Sequence, residues 1–414
     1  MKGTLWHHRD FLRFWIGDTV TQFTGQVTVL VLPTIAILTL NVTDFELGIL
    51  NALGFIAFPT LGLFAGVLLD RVRRKPVMIA VNVVRLVTLA TIPVTFVLGV
   101  LGLYQLYAVA LIMGICQLFF DVGYQSYLPS LVDKEEVVEG NEKLQVSASA
   151  AQVAGPSVAS ALMGLVGTAQ SVVVDVLGFF TSVLMLASIK KPEPKPKCVS
   201  TDGQGHFFAE MEEGIKIITG NKLLWTQAGC TATTNLGMNM FNVAILLYAY
   251  RTLGISKDII GIAFSIGAFG FVLGVLLCSR LTKRLGVGKA TSLSVLANFG
   301  MLLVLFASPG DFGVLVIGIA LFVNYLGVPV YNINMVSLRQ IITPNRLQGR
   351  MNATMRTLVW GTIPIGAFLG GILCTAVGLV PTLLIGAVVA GLAALWVIFG
   401  PIYELQKQPE PAEE

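Results

Sequence analysis

Five ionisable residues sit inside long apolar runs of this sequence: Asp18, Arg85, Asp121, Asp175 and Arg356. A charge at the centre of a hydrocarbon layer costs about 2.5–3.5 kcal/mol on insertion scales, so such residues are functional candidates by default. Spacing sorts them. Asp18, Gln22 and Gln26 recur at every fourth position, which stacks them on one face of a helix. Gln117, Asp121 and Gln125 repeat the pattern, with Tyr124 beside them. Thr231, Asn235, Asn239 and Asn242 form a third stripe that runs past Met238. In a fourth run Asn324 stands two turns from Tyr331, and Tyr325 two turns from Asn332.

A carboxylate that shares a helix face with amides can take up either a proton or a polar group of a bound molecule. Asp18 and Asp121 are therefore the candidates for proton coupling, with Arg85 as the nearest candidate countercharge. Arg85 requires a counter-ion in any case, so a structural ion pair fits it as well. Asp18 is also close enough to the start of its run to cap or pair near an interface. Asp175 falls near the outer end of its run and reads as a capping or packing residue. The Asn and Gln stripes suit interhelical hydrogen bonding as readily as ligand binding.

The elements that carry these residues must be membrane helices. Of 414 residues 55% are hydrophobic and 12% charged, whereas a soluble domain carries about 25% charged residues. Apolar runs long enough to cross a bilayer as helices fall near residues 11–40, 46–69, 76–98, 104–128, 142–166 and 170–189. Six more fall near 222–250, 258–282, 288–307, 312–337, 351–375 and 380–403. The fold class expected is all-α, a polytopic membrane protein of twelve transmembrane helices in two pseudo-symmetric six-helix bundles. The first run is too long for a signal-peptide core and is read as a retained helix. Lys and Arg concentrate at the termini and beside the even-numbered loops, which places both termini in the cytoplasm of a cell with a bacterial inner membrane. No CxxC pair occurs among the five cysteines, and His7, His8 and His206 lie in polar flanks, so no metal site and no cofactor is expected.

One polar stretch interrupts the runs. The segment from Lys190 to Lys197 alternates Lys, Pro and Glu and reads as a stiff extended linker. After it Phe207, Phe208, Met211, Ile215 and Ile218 share one helical face, as in a short surface helix. The organisation expected is a bundle over 1–190, a linker over 191–221, a second bundle over 222–405 and a tail over 406–414. The halves echo each other at an offset of 208: Gly66-Val67-Leu68-Leu69 returns as Gly274-Val275-Leu276-Leu277, and Pro156 as Pro364. Duplicated halves around a midplane site are a recurrent transporter plan.

The loop after the second run reads Gly66-x-x-x-Asp70-Arg71-x-x-Arg74-Lys75, and there the sequence resembles the major facilitator superfamily. A degenerate second copy runs from Gly274 to Arg284, and Ala154-Gly155-Pro156 is similar to the Gly-Pro motif of antiporters, with Ala159 and Ser160 where paired glycines are usual. Phe14 to Thr19, Phe119-Phe120-Asp121 continuing to Leu128-Pro129, Asp175 to Phe180 and Gln348-Gly349-Arg350 resemble the drug:proton antiporter branch. That branch includes bacterial macrolide, tetracycline and multidrug efflux proteins and siderophore exporters.

The resemblance implies a central cavity lined by helices 1, 4, 7 and 10, the four that bear the polar stripes. Its substrate candidates are then Gln22, Gln26, Gln117, Tyr124, Gln125, Asn235, Met238, Asn239, Asn242, Asn324, Tyr331 and Asn332. It implies a conformational latch at Gly66, Asp70, Arg71 and Arg74, and a bend of helix 5 at Gly155 and Pro156. The function implied is proton-coupled export of small hydrophobic or amphiphilic compounds such as antibiotics, by alternating access. Export of a defined metabolite such as a siderophore, or lipid flipping, is the alternative. A membrane-embedded enzyme would need a His, Cys or carboxylate cluster at bilayer depth, and none is visible. The partners expected are a small molecule, protons and membrane lipids, with no nucleic acid, around a monomer.

Overall fold

The computed structural model describes residues 4–132, 136–193, 215–343 and 348–407. Phe207, Phe208 and Met211 of the expected surface helix, and residues 408–414 of the tail, lie outside them. The described elements are helices and turns. The chain forms α1 (Arg9–Thr34), α2 (Asp44–Phe55 continuing as Ala57–Arg71), α3 (Arg74–Val97), α4 (Leu103–Leu131), α5 (Val137–Val166) and α6 (Thr168–Ser188). Then follow α7 (Lys222–Leu247), α8 (Ile260–Leu285), α9 (Val287–Leu296 with a 3-10 continuation Ala297–Phe306) and α10 (Asp311–Ile342). The last two are α11 (Gln348–Trp360 and Thr362–Val377) and α12 (Leu379–Leu392 and Ala394–Ile398).

Among the described residues eleven helical spans are long and apolar enough to cross a membrane. The span left out is α7. It is long enough, but Thr226, Gln227, Thr231, Thr233, Thr234, Asn235, Asn239 and Asn242 dilute its apolar character.

Local chemistry sets the helix ends. The Asn221 side chain accepts the N–H groups of Leu223 and Leu224 and starts α7. Thr43 and Glu46 form a reciprocal capping box at the start of α2, the Thr43 N–H meeting Glu46 Oε2 at 2.7 Å. Both α1 and α7 end in a five-residue π-helical turn, Ile35–Thr39 and Tyr248–Thr252. The repeat is close: Val42 N–H donates to Ala36 O at 3.1 Å, and Ile255 N–H to Ala249 O at 2.9 Å.

The helices group into two compact units. The first comprises Met1–Val42, Ile56–Val199 and Ser256–Ser265; the second comprises Thr43–Phe55, Ser200–Ile255 and Ile266–Glu414. Each unit thus includes a short stretch from the far side of the linker. In the first, Gly261 at the head of α8 lies against α5, its N–H donating to Ser160 Oγ at 2.7 Å. In the second, Gly48 of α2 meets α11 so closely that an added Cβ would stand 2.7 Å from Gly371 Cα. The Asp44–Arg251 ion pair and the Phe45–Phe368 ring contact flank that crossing.

The core of the first unit gathers Phe11, Phe14, Met78, Tyr127, Leu144 and Leu186 from five helices. In the second, α7 is the central element. Gly237 admits the backbone of α12, and Gly366 and Gly370 admit the backbone of α7 to α11, the small-residue packing that lets membrane helices approach closely. Ile218, expected on a surface helix, is 0% exposed and packs with Leu224, Met351 and Met355. Ile215, Lys216 and Thr219 of the same helical turn stay exposed.

Candidate functional site

The first unit carries a continuous polar network that runs from buried Asn82 and Arg85 to exposed Gln117 and half-buried Asp121. Arg85 of α3 is 2% exposed. Its Nη2 donates to Gln117 Oε1 at 2.9 Å, and Gln117 Nε2 donates on to Asp121 Oδ1 at 2.7 Å. The i,i+4 spacing of Gln117 and Asp121 makes the second contact possible, and the tertiary fold supplies the first. Arg85 also contacts Asn82 at 3.4 Å, and Asn82 Nδ2 donates to Ser182 Oγ at 3.0 Å. The rings of Phe120 and Phe179 sit 5.1 and 5.3 Å from the guanidinium carbon, a cation–π arrangement that is stronger where water is excluded.

Asp175 is 0% exposed and is not a helix cap. It lies a full two turns inside α6, where the hydroxyls of Thr24 and Thr28 donate to its two carboxylate oxygens at 2.8 and 2.5 Å. Gly178 makes the approach possible: an added Cβ would stand 2.9 Å from Thr24 Cβ. The sequence carries a signal for this site. Thr24 and Thr28 are four residues apart on one face of α1, offset from the Asp18–Gln22–Gln26 face.

Asp18 is 3% exposed; the Gln22 amide is a weak donor to its carboxylate, and no donor meets either oxygen in well-formed geometry among the described residues. Gln22 stands one turn on, and Asp121 and Tyr124 of α4 are its other electrostatic neighbours. The Tyr124 ring packs 5.4 Å from Phe14 and 6.1 Å from Phe120. Gln26 lies across Gly155, where an added Cβ would collide with its stem. The helix at that point continues through Pro156 without interruption. Gly155 and Pro156 therefore act in this structure as a docking surface, for Gln26 of α1 and for Gly261 of α8.

The second unit distributes its polar groups differently. Tyr331 and Thr231 hydroxyls meet at 2.6 Å, joining α10 to α7, and Tyr331 also reaches Gln227 O at 3.3 Å. Asn235 Nδ2 donates to Val359 O at 3.1 Å, and Asn239 Nδ2 to Asn235 O at 2.8 Å. Asn242 and Asn332 are exposed. Asn324 is 0% exposed, and its Nδ2 donates to Asn298 Oδ1 at 2.8 Å, with Met238 Sδ at 3.5 Å. It thus joins α10 to α9 and touches α7 as well.

The loop motif is partly within view; nothing is described of the side chains of Gly66, Asp70, Arg71 and Gln125. Arg74 and Lys75 begin α3, and the carboxylate of Glu193 accepts both of their backbone N–H groups, at 2.8 and 3.0 Å. The Arg74 guanidinium stands 3.7 Å from the same carboxylate. An acid at a helix N-terminus satisfies otherwise unpaired N–H groups and complements the helix dipole. The start of the linker is thus bound and not free. Asp10 takes the N–H groups of Lys190 and Lys191 at 3.2 and 2.9 Å, and Lys75 Nζ reaches Ile189 O at 2.7 Å. Lys191 Nζ reaches Leu131 O at 2.9 Å.

The geometry can now be set beside known proteins. A profile described as Major Facilitator Superfamily matches residues 14–234 and 227–414. Macrolide efflux protein A of Streptococcus pyogenes is 23% identical over 376 residues, which is 89% of this chain and 90% of that protein. A protein of the same name from Enterococcus faecalis is 24% identical over 42% of this chain and 54% of its own length. Among solved structures, a bacterial homologue of the iron transporter ferroportin superposes with a TM-score of 0.74 at 16% identity, covering 94% of this chain and 98% of that one. The nucleoside transporter NupG gives 0.70 at 14% identity over 94% and 98%. At these identities the structural likeness concerns the fold.

Proposed function

The chain belongs to the major facilitator superfamily, and from that premise we propose that it is a proton-coupled exporter of small hydrophobic or amphiphilic compounds, macrolides among them. The direction and substrate class rest on the name of the relatives that span nine-tenths of its length. The orientation proposed, with both termini in the cytoplasm of a bacterial cell, rests on the distribution of Lys and Arg.

The coupling mechanism rests on one observation above the others. Asp18 is buried, has no well-formed hydrogen bond on either oxygen among the described residues, and neighbours Asp121. A proton taken up there displaces at most the weak contact with Gln22. Asp121 is tied to Arg85 through Gln117, so a change of charge at Asp18 is felt along α4 and α3. Export then alternates with proton entry as two six-helix bundles rock about the site, and Asp70 and Arg71 latch the cytoplasmic side between cycles.

Two measurements test the reading. Expression in an efflux-deficient host should lower susceptibility to macrolides, and unchanged susceptibility across a panel of hydrophobic antibiotics removes the substrate assignment. In proteoliposomes, substrate should drive proton movement that Asp18→Asn or Asp121→Asn abolishes while substrate still binds. If the double variant exchanges protons for substrate as the parent does, neither acid is the coupling site.

A further inference from the structure

A groove of about 480 Å³ opens on the surface of the second unit, between the first turn of α7 and the last turns of α12. Lys222 and Trp225 line one side, and Leu395, Trp396, Phe399 and Pro401 the other. It is separate from the polar groups described above. Its walls are well fixed. Trp396 donates from Nε1 to Thr233 Oγ1 at 3.1 Å and lies flat on Gly229, where an added Cβ would stand 2.7 Å from the indole. Trp225 meets Trp396 edge-on, with ring centroids 6.5 Å apart. Yet Trp225 and Trp396 remain 46% and 39% exposed, and Phe399 84%.

The rim chemistry is that of a phosphate site above an apolar trough. Lys222 is exposed and has no ion-pair partner among the described residues, and the Trp225 indole N–H has no acceptor among them. Tryptophan and lysine together mark the level of the lipid headgroups. The same end of the unit is basic. α9 begins beside the segment that follows α12, Gly288 N–H donating to Leu405 O at 2.8 Å. That contact places exposed Lys283, Arg284 and Lys289 at this end with Lys222, against exposed Glu404, the single acid there among the described residues. A basic rim complements an anionic headgroup and gives a zwitterionic one no net attraction.

We infer that this groove holds one anionic phospholipid, its phosphate between the Lys222 ammonium and the Trp225 indole N–H and an acyl chain along Leu395 and Phe399. The lipid stiffens the α7–α12 contact from outside, at the foot of the helix that carries the Thr231–Asn242 stripe. It is a bound structural lipid and not the transported molecule, so the assignment stands or falls independently of the proposed export.

The test uses the intact chain and a variant in which Trp6, Trp15 and Trp360 are phenylalanine, leaving Trp225 and Trp396 as reporters. In phosphatidylcholine vesicles, dibrominated phosphatidylglycerol should quench these two about five-fold more effectively at low mole fraction than dibrominated phosphatidylcholine, the factor one lysine contributes at an anionic surface. Lys222→Gln should remove that preference while leaving quenching by the neutral lipid unchanged. Native mass spectrometry of the unaltered chain should retain one phosphatidylglycerol that Lys222→Gln loses, which covers the case of a misfolded reporter variant. Equal quenching by the two lipids, or a preference that survives Lys222→Gln, overturns the site. Displacement of quenching by inorganic phosphate alone assigns the groove to a free anion and likewise overturns the lipid.

Discussion

Asn41 and Gly254, 213 positions apart, adopt the same left-handed conformation at the same step beyond a π-helical turn, with φ of 49° and 63°. The first helix of each half ends in this way, and the chain then turns into the next helix. Nothing lies within 4 Å of a Cβ added at Gly254, so a substitution there reports backbone strain alone.

Gly254→Ala should therefore destabilise the protein by about 1–2 kcal/mol, the cost of left-handed backbone for an ordinary L-residue. Asn41→Gly should change stability by about 0.5 kcal/mol or less, since both residues tolerate that conformation. Thermal unfolding in detergent checks both. Equal effects of the two substitutions would show that the left-handed turns are not what the residue types were meeting.

The pairing of Thr28 with Asp175 predicts a second asymmetry. Thr28→Val keeps the shape and removes a donor to a buried carboxylate, so it should cost about 1.5–3 kcal/mol. Thr28→Ser should restore most of the loss. Gly178→Ala should act in the same direction by displacing Thr24. A Thr28→Val protein as stable as the parent in the same unfolding assay would remove the role given to these hydroxyls.

The linker contacts can be separated by amide exchange. Glu193→Ala leaves two helix-terminal N–H groups without their acceptor, a loss of about 0.5–2 kcal/mol. Exchange at Arg74 and Lys75 should accelerate, while Lys190 and Lys191, held by Asp10, change less. Asp10→Asn should produce the reverse pattern. Uniform acceleration at all four amides in either variant would mean that the two clasps do not act as distinct contacts.

The proposed latch is tested at Asp70. Asp70→Asn should sharply reduce transport with membrane insertion intact, because topology follows Lys and Arg and owes little to acids. Normal efflux by a well-expressed Asp70→Asn protein rules the latch out.

The sequence by itself determined the helical membrane architecture, because the length and apolarity of a run are local properties that no neighbour can alter. It also determined that Gln117 and Asp121 would touch, since a spacing of four brings side chains together on any helix. The loop motif at Gly66–Lys75 carried enough local pattern to mark the superfamily. It could not reveal how each helix is rotated about its axis. Asp175 read as a capping or packing residue because it falls near the outer end of its run; its hydrogen-bond donors lie 147 and 151 residues away, on α1. Asn324 and Tyr331 share a stripe and both touch α7, yet Asn324 also bonds Asn298 of α9. Glu193 read as part of a solvated linker, and it reaches 119 residues back to close α3. The Asp175 site was decided by a glycine notch between packed helices, and the Glu193 contact by the path of the chain beyond α6. Such packing depends on contacts between distant segments, and periodicity within one segment does not encode them.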